Sequence, residues 1–407
     1  MLRIPVESNA RRAASVWVEV DLGAITRNVR AFLARLPDGC RLTAVVKSEA
    51  YGHGMLPVAR AVLRAGAHEL AVASVPEGAA LREAGVRAPI LVAGPITPAA
   101  APQVVQYGLV PTVACYEVAA ALARATRRQL PVQVEVDTGM RRHGVPVHDL
   151  DGFVRALSER GRLSVAGVYT HFAGLGSEDE QGLRDQLARF CAAVDGVAGL
   201  RGVRRHACNT LGALLLPDAA LDGVRIGGGL YGFDPLDGAS AQLEPALSWK
   251  AQVVGLREVA AGDPVGYGGR FRCARPSRLA LLPVGYGDGL ARELWSGADV
   301  LVRGRRAPLV GAISMNQALV DVTDLPEVLL GEEVVLLGSV AGERVRPEDL
   351  VSEHGCAYEV TSLLSPRLPR VYVGEAAAAR DAQLQAVERR LSAPQVRPQR
   401  EVRSPRR

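Results

Sequence analysis

One lysine stands where chemistry would be expected. In Arg41-Leu-Thr-Ala-Val-Val-Lys47-Ser-Glu-Ala-Tyr51-Gly-His-Gly54 an apolar run with strand character ends at Lys47, and a polar, glycine-containing loop follows. Burial and neighbouring positive charge lower the pKa of such an amine toward a nucleophilic range, and a free amine can form a Schiff base with an aldehyde cofactor. Alone, a strand-end lysine is more often a solvated surface cation. Further on, Arg225 precedes the glycine run Gly227–Gly229, whose backbone N–H groups a phosphate can approach at little steric cost. The plain alternative for that run is a tight turn.

Lys47 would need a scaffold that gathers strand ends at one mouth. Up to about residue 240, short apolar β-branched runs alternate with Ala/Leu/Arg-rich stretches of helical period, and candidate strands can be counted at Leu42–Val46, Glu69–Ala73, Ile90–Val92, Leu109–Val113, Val132–Val136, Val165–Tyr169, Arg204–Ala207 and Gly223–Arg225. Eight such units predict an α/β fold, a (β/α)8 TIM-like barrel, although the count alone also fits a doubly wound sheet. After Leu243 the texture changes to strand-like pieces between Gly/Pro/Asp turns, at Ala251–Val259, Arg278–Pro283, Asp299–Val302, Ala307–Ile313, Ala318–Val322 and Glu333–Leu337, which reads as a mostly β domain. The expected division is an N-terminal extension over 1–15, the barrel over 16–242, the mostly β domain over 243–373, and a basic, disordered tail over 374–407.

A chain of 407 residues exceeds what one core usually organises, in keeping with two domains. Hydrophobic residues make up 48% and charged residues 22%, ordinary proportions for a globular protein. No apolar run could cross a bilayer and MLRIPVESNARRAAS lacks the apolar stretch of a secretory signal, so no membrane partner and a cytoplasmic location are expected. Of the net charge of +5, the eight arginines and four acids from Gly374 onward contribute +4, leaving no basic face suited to nucleic acid. Six cysteines without CxxC or Cys/His spacing, and the lack of a carboxylate cluster, argue against a metal site or a disulfide framework.

With its neighbours, VVKSEAYGHG resembles the cofactor-lysine signature of the alanine racemase family, pyridoxal-phosphate enzymes in which a phosphate-contacting tyrosine follows the lysine by four residues. The resemblance continues in order through VDTGMRRHG (Val136–Gly144), YTHFA (Tyr169–Ala173), HACNT (His206–Thr210), RIGGGLYG (Arg225–Gly232), VGYGGRF (Val265–Phe271), VGYGDG (Val284–Gly289), ISMNQ (Ile313–Gln317) and AYEV (Ala357–Val360), and covers roughly residues 16 to 372. Each pattern is weak; their joint register is specific. It implies a barrel holding pyridoxal 5'-phosphate, a β domain, a homodimer with shared active sites, and interconversion of L- and D-alanine that supplies D-alanine for peptidoglycan.

Carried over residue by residue, the resemblance makes Lys47 the cofactor anchor and the proton carrier on one face of the substrate. Tyr267, reaching the site of the other subunit, would serve the opposite face. Tyr51, Thr210, Gly227 and Tyr358 would hold the phosphate, with Asn209 and Gly228 beside them. Arg225 would face the pyridine nitrogen and, keeping its own proton, would leave that nitrogen unprotonated, so that less carbanion charge spreads into the ring. His171 would lie against the ring, and His206 with Arg225 would form a polar network that tunes Tyr267. Substrate carboxylate binding would fall to Arg142 and the Met315 region, while Tyr286 and Tyr358 would narrow the entrance.

The sequence departs from the family pattern at several positions. Glu135 stands where many relatives have a lysine, carbamylated in some, that orients the carboxylate-binding arginine; the glutamate is expected to supply that charge directly to Arg142. Arg141 stands where glycine is usual, Asn316 replaces an aspartate, Thr210 a serine, and Gly228 a bulkier apolar residue. A broad-specificity racemase acting on serine or basic amino acids would keep every catalytic residue. A decarboxylase on the same barrel would pair the ring nitrogen with an acid, and a non-catalytic cofactor-binding protein would lack the β domain.

Overall fold

Where the chain turns decides where Lys47 ends up. The computed structural model describes residues 14–236, 243–351 and 355–374; the expected tail and most of the N-terminal extension lie outside them. The first strand, β1 (Val16–Asp21), ends at an N-cap: Asp21 Oδ1 accepts the N–H groups of Gly23 and Ala24 at 2.7 and 3.0 Å and starts the helix Leu22–Leu33.

Eight parallel strands follow: β2 (Arg41–Val45), β3 (Glu69–Val72), β4 (Ile90–Val92), β5 (Val110–Val113), β6 (Leu130–Asp137), β7 (Leu163–Tyr169), β8 (Arg204–His206) and β9 (Gly223–Ile226). They are hydrogen-bonded in sequence order, and β9 returns to pair with β2, Gly223 opposite Arg41 and Ile226 opposite Ala44. That return excludes the doubly wound alternative. Between β8 and β9 two backbone bonds bridge the seam, Asp222 N–H to Arg205 O at 3.0 Å and Arg225 N–H to Cys208 O at 2.9 Å, so the barrel is nearly closed. Helices wrap it by burying one stripe. In Met55–Ala65 the buried positions are Met55, Val58, Ala59, Ala61, Val62 and Ala65, the spacing that one helical face requires.

The second half is a mostly antiparallel sheet built from Leu247–Gln252, Gly255–Val259, Ser277–Leu282, Asp299–Val302, Arg305–Val310, Ala318–Asp321, Glu333–Val340 and Arg370–Val373. Two expectations need correction. The run Ala251–Val259 is two strands: Leu247–Gln252 pairs with β1 and with Glu333–Val340, whereas Gly255–Val259 pairs with Ser277–Leu282. The chain changes partners at Val253 and Val254, and an unbroken apolar run hides such a corner. The second concerns β1, expected within the barrel segment; it lies instead in the β sheet, antiparallel to Leu247–Gln252 and parallel to Arg370–Val373. One continuous apolar core therefore runs from Val18 and Val20 through the barrel to Trp249 and Leu336. Among the described residues no helix is long and apolar enough to cross a membrane.

Candidate active site

Lys47 begins where β2 ends, at the C-terminal mouth of the barrel. The four residues after it, Ser48, Glu49, Ala50 and Tyr51, all have φ between 52° and 55°, a left-handed turn made without glycine. L-residues pay roughly 1–2 kcal/mol each for that conformation, so the surroundings must hold it. Glu77 accepts the Ser48 N–H at 2.7 Å, and Glu49 accepts the Met55 N–H at 3.0 Å. His53 Nδ1 lies 3.0 Å from the carbonyls of Ala50 and Tyr51, and Arg370 of the β domain donates to Gly52 O at 2.9 Å. Gly52 closes the turn at φ +86°, where an added Cβ would sit 1.8 Å from Thr361 O.

The turn aims Tyr51 at the glycine run. A Cβ on Gly227 would lie 2.5 Å from the Tyr51 hydroxyl, and one on Gly228 would lie 2.6 Å from the Tyr358 hydroxyl. Thr210 Oγ1 accepts the N–H groups of Gly227 and Gly229 at 3.2 Å, which leaves its own proton to give. Asn209 is the N-cap of Thr210–Leu215 and accepts the Gly212 N–H at 3.0 Å, so its side chain fixes the turn that presents Thr210. Three hydroxyls thus converge on a cradle bare of side chains. Burial pushes the Tyr358 phenol up to about 12 and that of Tyr51 well above its usual range, so both keep a proton to donate.

Arg225 is buried beside this cradle. Its two terminal nitrogens are spent on protein: Nη1 on His206 Nδ1 at 2.6 Å, Nη2 on the carbonyls of Thr170 and Ala207 at 2.7 and 3.0 Å and, longer, on His171 Nδ1 at 3.4 Å. Nε makes no bond to any described residue and is the donor left over. His206 Nε2 pairs with Gln133 Oε1 at 2.7 Å, which makes Nε2 the protonated nitrogen and Nδ1 the acceptor. Burial, followed by the charge of Arg225, holds His206 well below the usual histidine range and His171 at about 3. Both are neutral. Lys47 is lowered as well, by burial first and then by Arg142, against an opposing pull from Glu77.

The remaining expected residues are not all brought together. Arg142 is exposed on the loop after β6 and makes no ion pair with a described residue; Glu135, expected to pair with it, instead accepts His143 Nδ1 at 2.7 Å and the Tyr169 hydroxyl at 3.3 Å. The reason is geometric: Arg141 adopts φ +57°, tied by its N–H to Asp137 Oδ1 at 3.1 Å, and the loop turns His143 rather than Arg142 inward. Tyr267, Tyr286 and Met315 are 72%, 46% and 58% exposed on the β domain. Tyr267 lines a hollow of about 390 Å³ with Arg270, Arg292, Glu293 and Trp295, none of them a barrel residue. Within one chain the network of Arg225 and His206 ends on Gln133, Thr170 and Ala207, not on Tyr267. Asn316 Nδ2 donates to Asp288 Oδ2 at 3.4 Å, where an aspartate would oppose like charges.

Models of the alanine racemase N-terminal domain and C-terminal domain match residues 20–235 and 246–372. The chain belongs to the alanine racemase family. Among similar proteins, the alanine racemase of Symbiobacterium thermophilum is 42% identical over 89% of this chain and 98% of its own length, and that of Halothermothrix orenii 36% over the same shares. Among solved structures, the alanine racemase of Bacillus anthracis with bound L-Ala-P superposes with a TM-score of 0.83 at 33% identity, covering 89% of this chain and 96% of that one. The Streptomyces coelicolor enzyme gives 0.81 at 33%, covering 90% and 100%.

Alanine racemase membership directs attention to side chains that motif reading passed over. Glu77 both closes a capping box with Ser74 and holds Ser48 beside Lys47; its signal, Ser74-Val-Pro-Glu77, is a readable helix start, but nothing local says that the glutamate also reaches another loop. Tyr169 lies under the Arg225 guanidinium at 4.6 Å and stacks on His206 at 4.9 Å. Gln133, His143 and Arg370 were likewise silent, because their partners are far off in sequence or on another strand.

Proposed function

We propose that the chain interconverts L- and D-alanine with pyridoxal 5'-phosphate as cofactor, using Lys47 and Tyr267 as the two acid–base groups. The convergence of Lys47, the three-hydroxyl cradle and the free Nε of Arg225 at one barrel mouth carries this reading. The residues fit the cofactor. Tyr51, Thr210, Tyr358 and Gly228 would receive its phosphate, Lys47 its aldehyde carbon, and Arg225 Nε its ring nitrogen. When bound, the cofactor supplies an electron sink that acidifies the Cα–H of the amino acid.

Every other part of the task falls to side chains. Arg142 receives the substrate carboxylate in its planar fork. Lys47 Nζ, lowered by burial and by Arg142, takes or returns the Cα proton on one face. Racemisation needs a second proton carrier on the opposite face, because one base acting alone restores the starting enantiomer. Tyr267 fills that role from a second copy of the chain, a homodimer with shared sites, consistent with its exposure and that of Met315 and Tyr286 on one domain. Because an arginine keeps its proton, Arg225 limits charge spread into the ring and with it side reactions.

The direct test incubates the cofactor-loaded protein separately with L-alanine, L-serine, L-lysine and L-arginine and resolves the products on a chiral column. D-alanine should dominate, with slow serine turnover, since a small pocket discriminates one hydroxyl by only about 1–3 kcal/mol. Absence of any D-amino acid would sink the reading. Sharing of sites is tested by mixing the inactive variants Lys47→Ala and Tyr267→Ala. Exchange of subunits should restore about one quarter of wild-type activity, because half the dimers are mixed and each has one intact site.

A further inference from the structure

The loop that carries Arg142 leaves β6 at Asp137 and returns to the same strand, where Val145 pairs with Val136 and Pro146 with Asp137. Between those ends it is held from inside at two points. Asp137 Oδ1 accepts the N–H groups of Gly139 and Arg141 at 3.0 and 3.1 Å, and His143 Nδ1 donates to Glu135 Oε2 at 2.7 Å. Arg142 lies between the two and makes no bond to any described residue, so what is fixed there is the stretch of loop from which its side chain departs. Glu135 is only 5% exposed, and a buried carboxylate needs satisfied partners. Its second one is the Tyr169 hydroxyl, whose ring lies under Arg225.

We propose that His143 and Glu135 form a latch that positions Arg142 for the substrate carboxylate, with Glu135 acting through His143 and not through the arginine itself. The inference rests on the racemase reading and adds two positioning residues to it. His143 fixes the backbone on the C-terminal side of Arg142 as Asp137 fixes it on the other. The buried Tyr169 bond, in turn, ties the latch to the layer beneath Arg225, so the carboxylate end and the ring-nitrogen end of the site share one carboxylate.

The test separates carboxylate recognition from everything else in the site. Propionate carries alanine's carboxylate and methyl group without the amine; ethylamine carries the amine and methyl group without the carboxylate. Binding of each to the holoenzyme is followed by titrating the absorbance of the bound cofactor. In His143→Ala, propionate should weaken about tenfold, the loss of about 1.4 kcal/mol that one hydrogen bond to a buried charge can account for, while ethylamine stays within about twofold. KM for alanine should rise about tenfold with kcat within about threefold. His143→Asn, whose amide can replace the Nδ1 donor, should restore most of the propionate binding.

Glu135→Gln should weaken propionate alone, and adding His143→Ala to it should cost little more, as expected for two members of one interaction. Unchanged propionate binding in both single variants overturns the latch, as does equal weakening of propionate and ethylamine, which would mark a general loss of structure. Should His143→Ala fail to fold, Glu135→Gln and His143→Asn carry the same test. A wild-type enzyme that racemises alanine while the variants behave normally removes only the latch; a wild-type protein that binds neither probe removes the racemase reading with it.

Discussion

Replacing Tyr51 with phenylalanine removes one hydroxyl from the cradle and nothing else. The ring keeps its neighbours, Tyr231 at 4.9 Å and Tyr358 at 5.6 Å between centroids, and its backbone stays in the same left-handed conformation. The hydroxyl makes no hydrogen bond to another described residue, so folding loses no partner. Stability of the cofactor-free protein should therefore change by less than about 0.5 kcal/mol, the usual range for a substitution that breaks no named interaction. Cofactor affinity should fall much further. A hydrogen bond to a charged group contributes about 1.5–3 kcal/mol, or roughly 10- to 150-fold in Kd. Denaturant titration of the cofactor-free protein gives the first quantity, and fluorescence titration with pyridoxal 5'-phosphate the second. A Kd within twofold of wild type would refute the assignment of Tyr51 to the phosphate. A cofactor-free protein destabilised by more than about 1 kcal/mol would show that the hydroxyl serves the fold instead.

Gly228→Ala sets a methyl 2.6 Å from the Tyr358 hydroxyl and should weaken the cofactor while leaving secondary structure intact, read by circular dichroism beside the same titration. Burial lowers His53 from 6.5 to about 4 and His171, likewise mainly by burial, to about 3. The folded state thus binds fewer protons than the unfolded one below pH 6.5. The stability of these neutral histidines is fully present above that pH and drains away as pH falls toward 4 and then 3. For His53 alone the loss is roughly 3 kcal/mol, measurable by urea denaturation across pH 7 to 4; a flat profile would contradict its burial in neutral form. Glu77→Gln should leave the helix Val75–Glu83 capped but lower the Lys47 pKa further, since Glu77 is the group that opposes the fall; the pH dependence of cofactor attachment reports it.

Much of this arrangement is legible from residue order, and the part that is not has a common cause. Each of the eight barrel strands falls within two residues of a stretch readable as a strand, most of them apolar and β-branched as strands covered on both faces tend to be, while β8, Arg204-Arg205-His206, is polar throughout. Of the residues expected at the cofactor, Lys47, Tyr51, Thr210, Arg225, Gly227, Gly228 and Tyr358 come together at one barrel mouth. What local pattern cannot reveal is pairing at a distance: β1 falls in the stretch assigned by sequence to the barrel, yet its partners lie more than 200 residues later, at Leu247–Gln252 and Arg370–Val373. Glu135 reads as a counter-charge for Arg142 until the φ of +57° at Arg141 turns His143 inward in its place.

The left-handed turn after Lys47 shows why those distant pairings matter to the chemistry. Nothing in Ser-Glu-Ala-Tyr announces φ near +50°; by sequence the segment reads only as a polar loop after a strand. Four such residues cost about 4–8 kcal/mol together, a large share of a domain's net stability, so the turn persists only while its clamps hold. Two of them come from outside the barrel: Arg370 donates to Gly52 O, and Thr361 O lies where a Gly52 side chain would be. Arg370 opens the strand that pairs with β1, and β1 leads through the Asp21 cap into the first barrel helix. The domain that carries Tyr267, on a separate two-stranded hairpin, therefore also holds the turn that aims Tyr51 at the glycine run. Arg370→Ala, far from any reacting atom, should consequently weaken cofactor binding more than it lowers the unfolding free energy. A loss of stability with unchanged cofactor Kd would show that the turn holds itself.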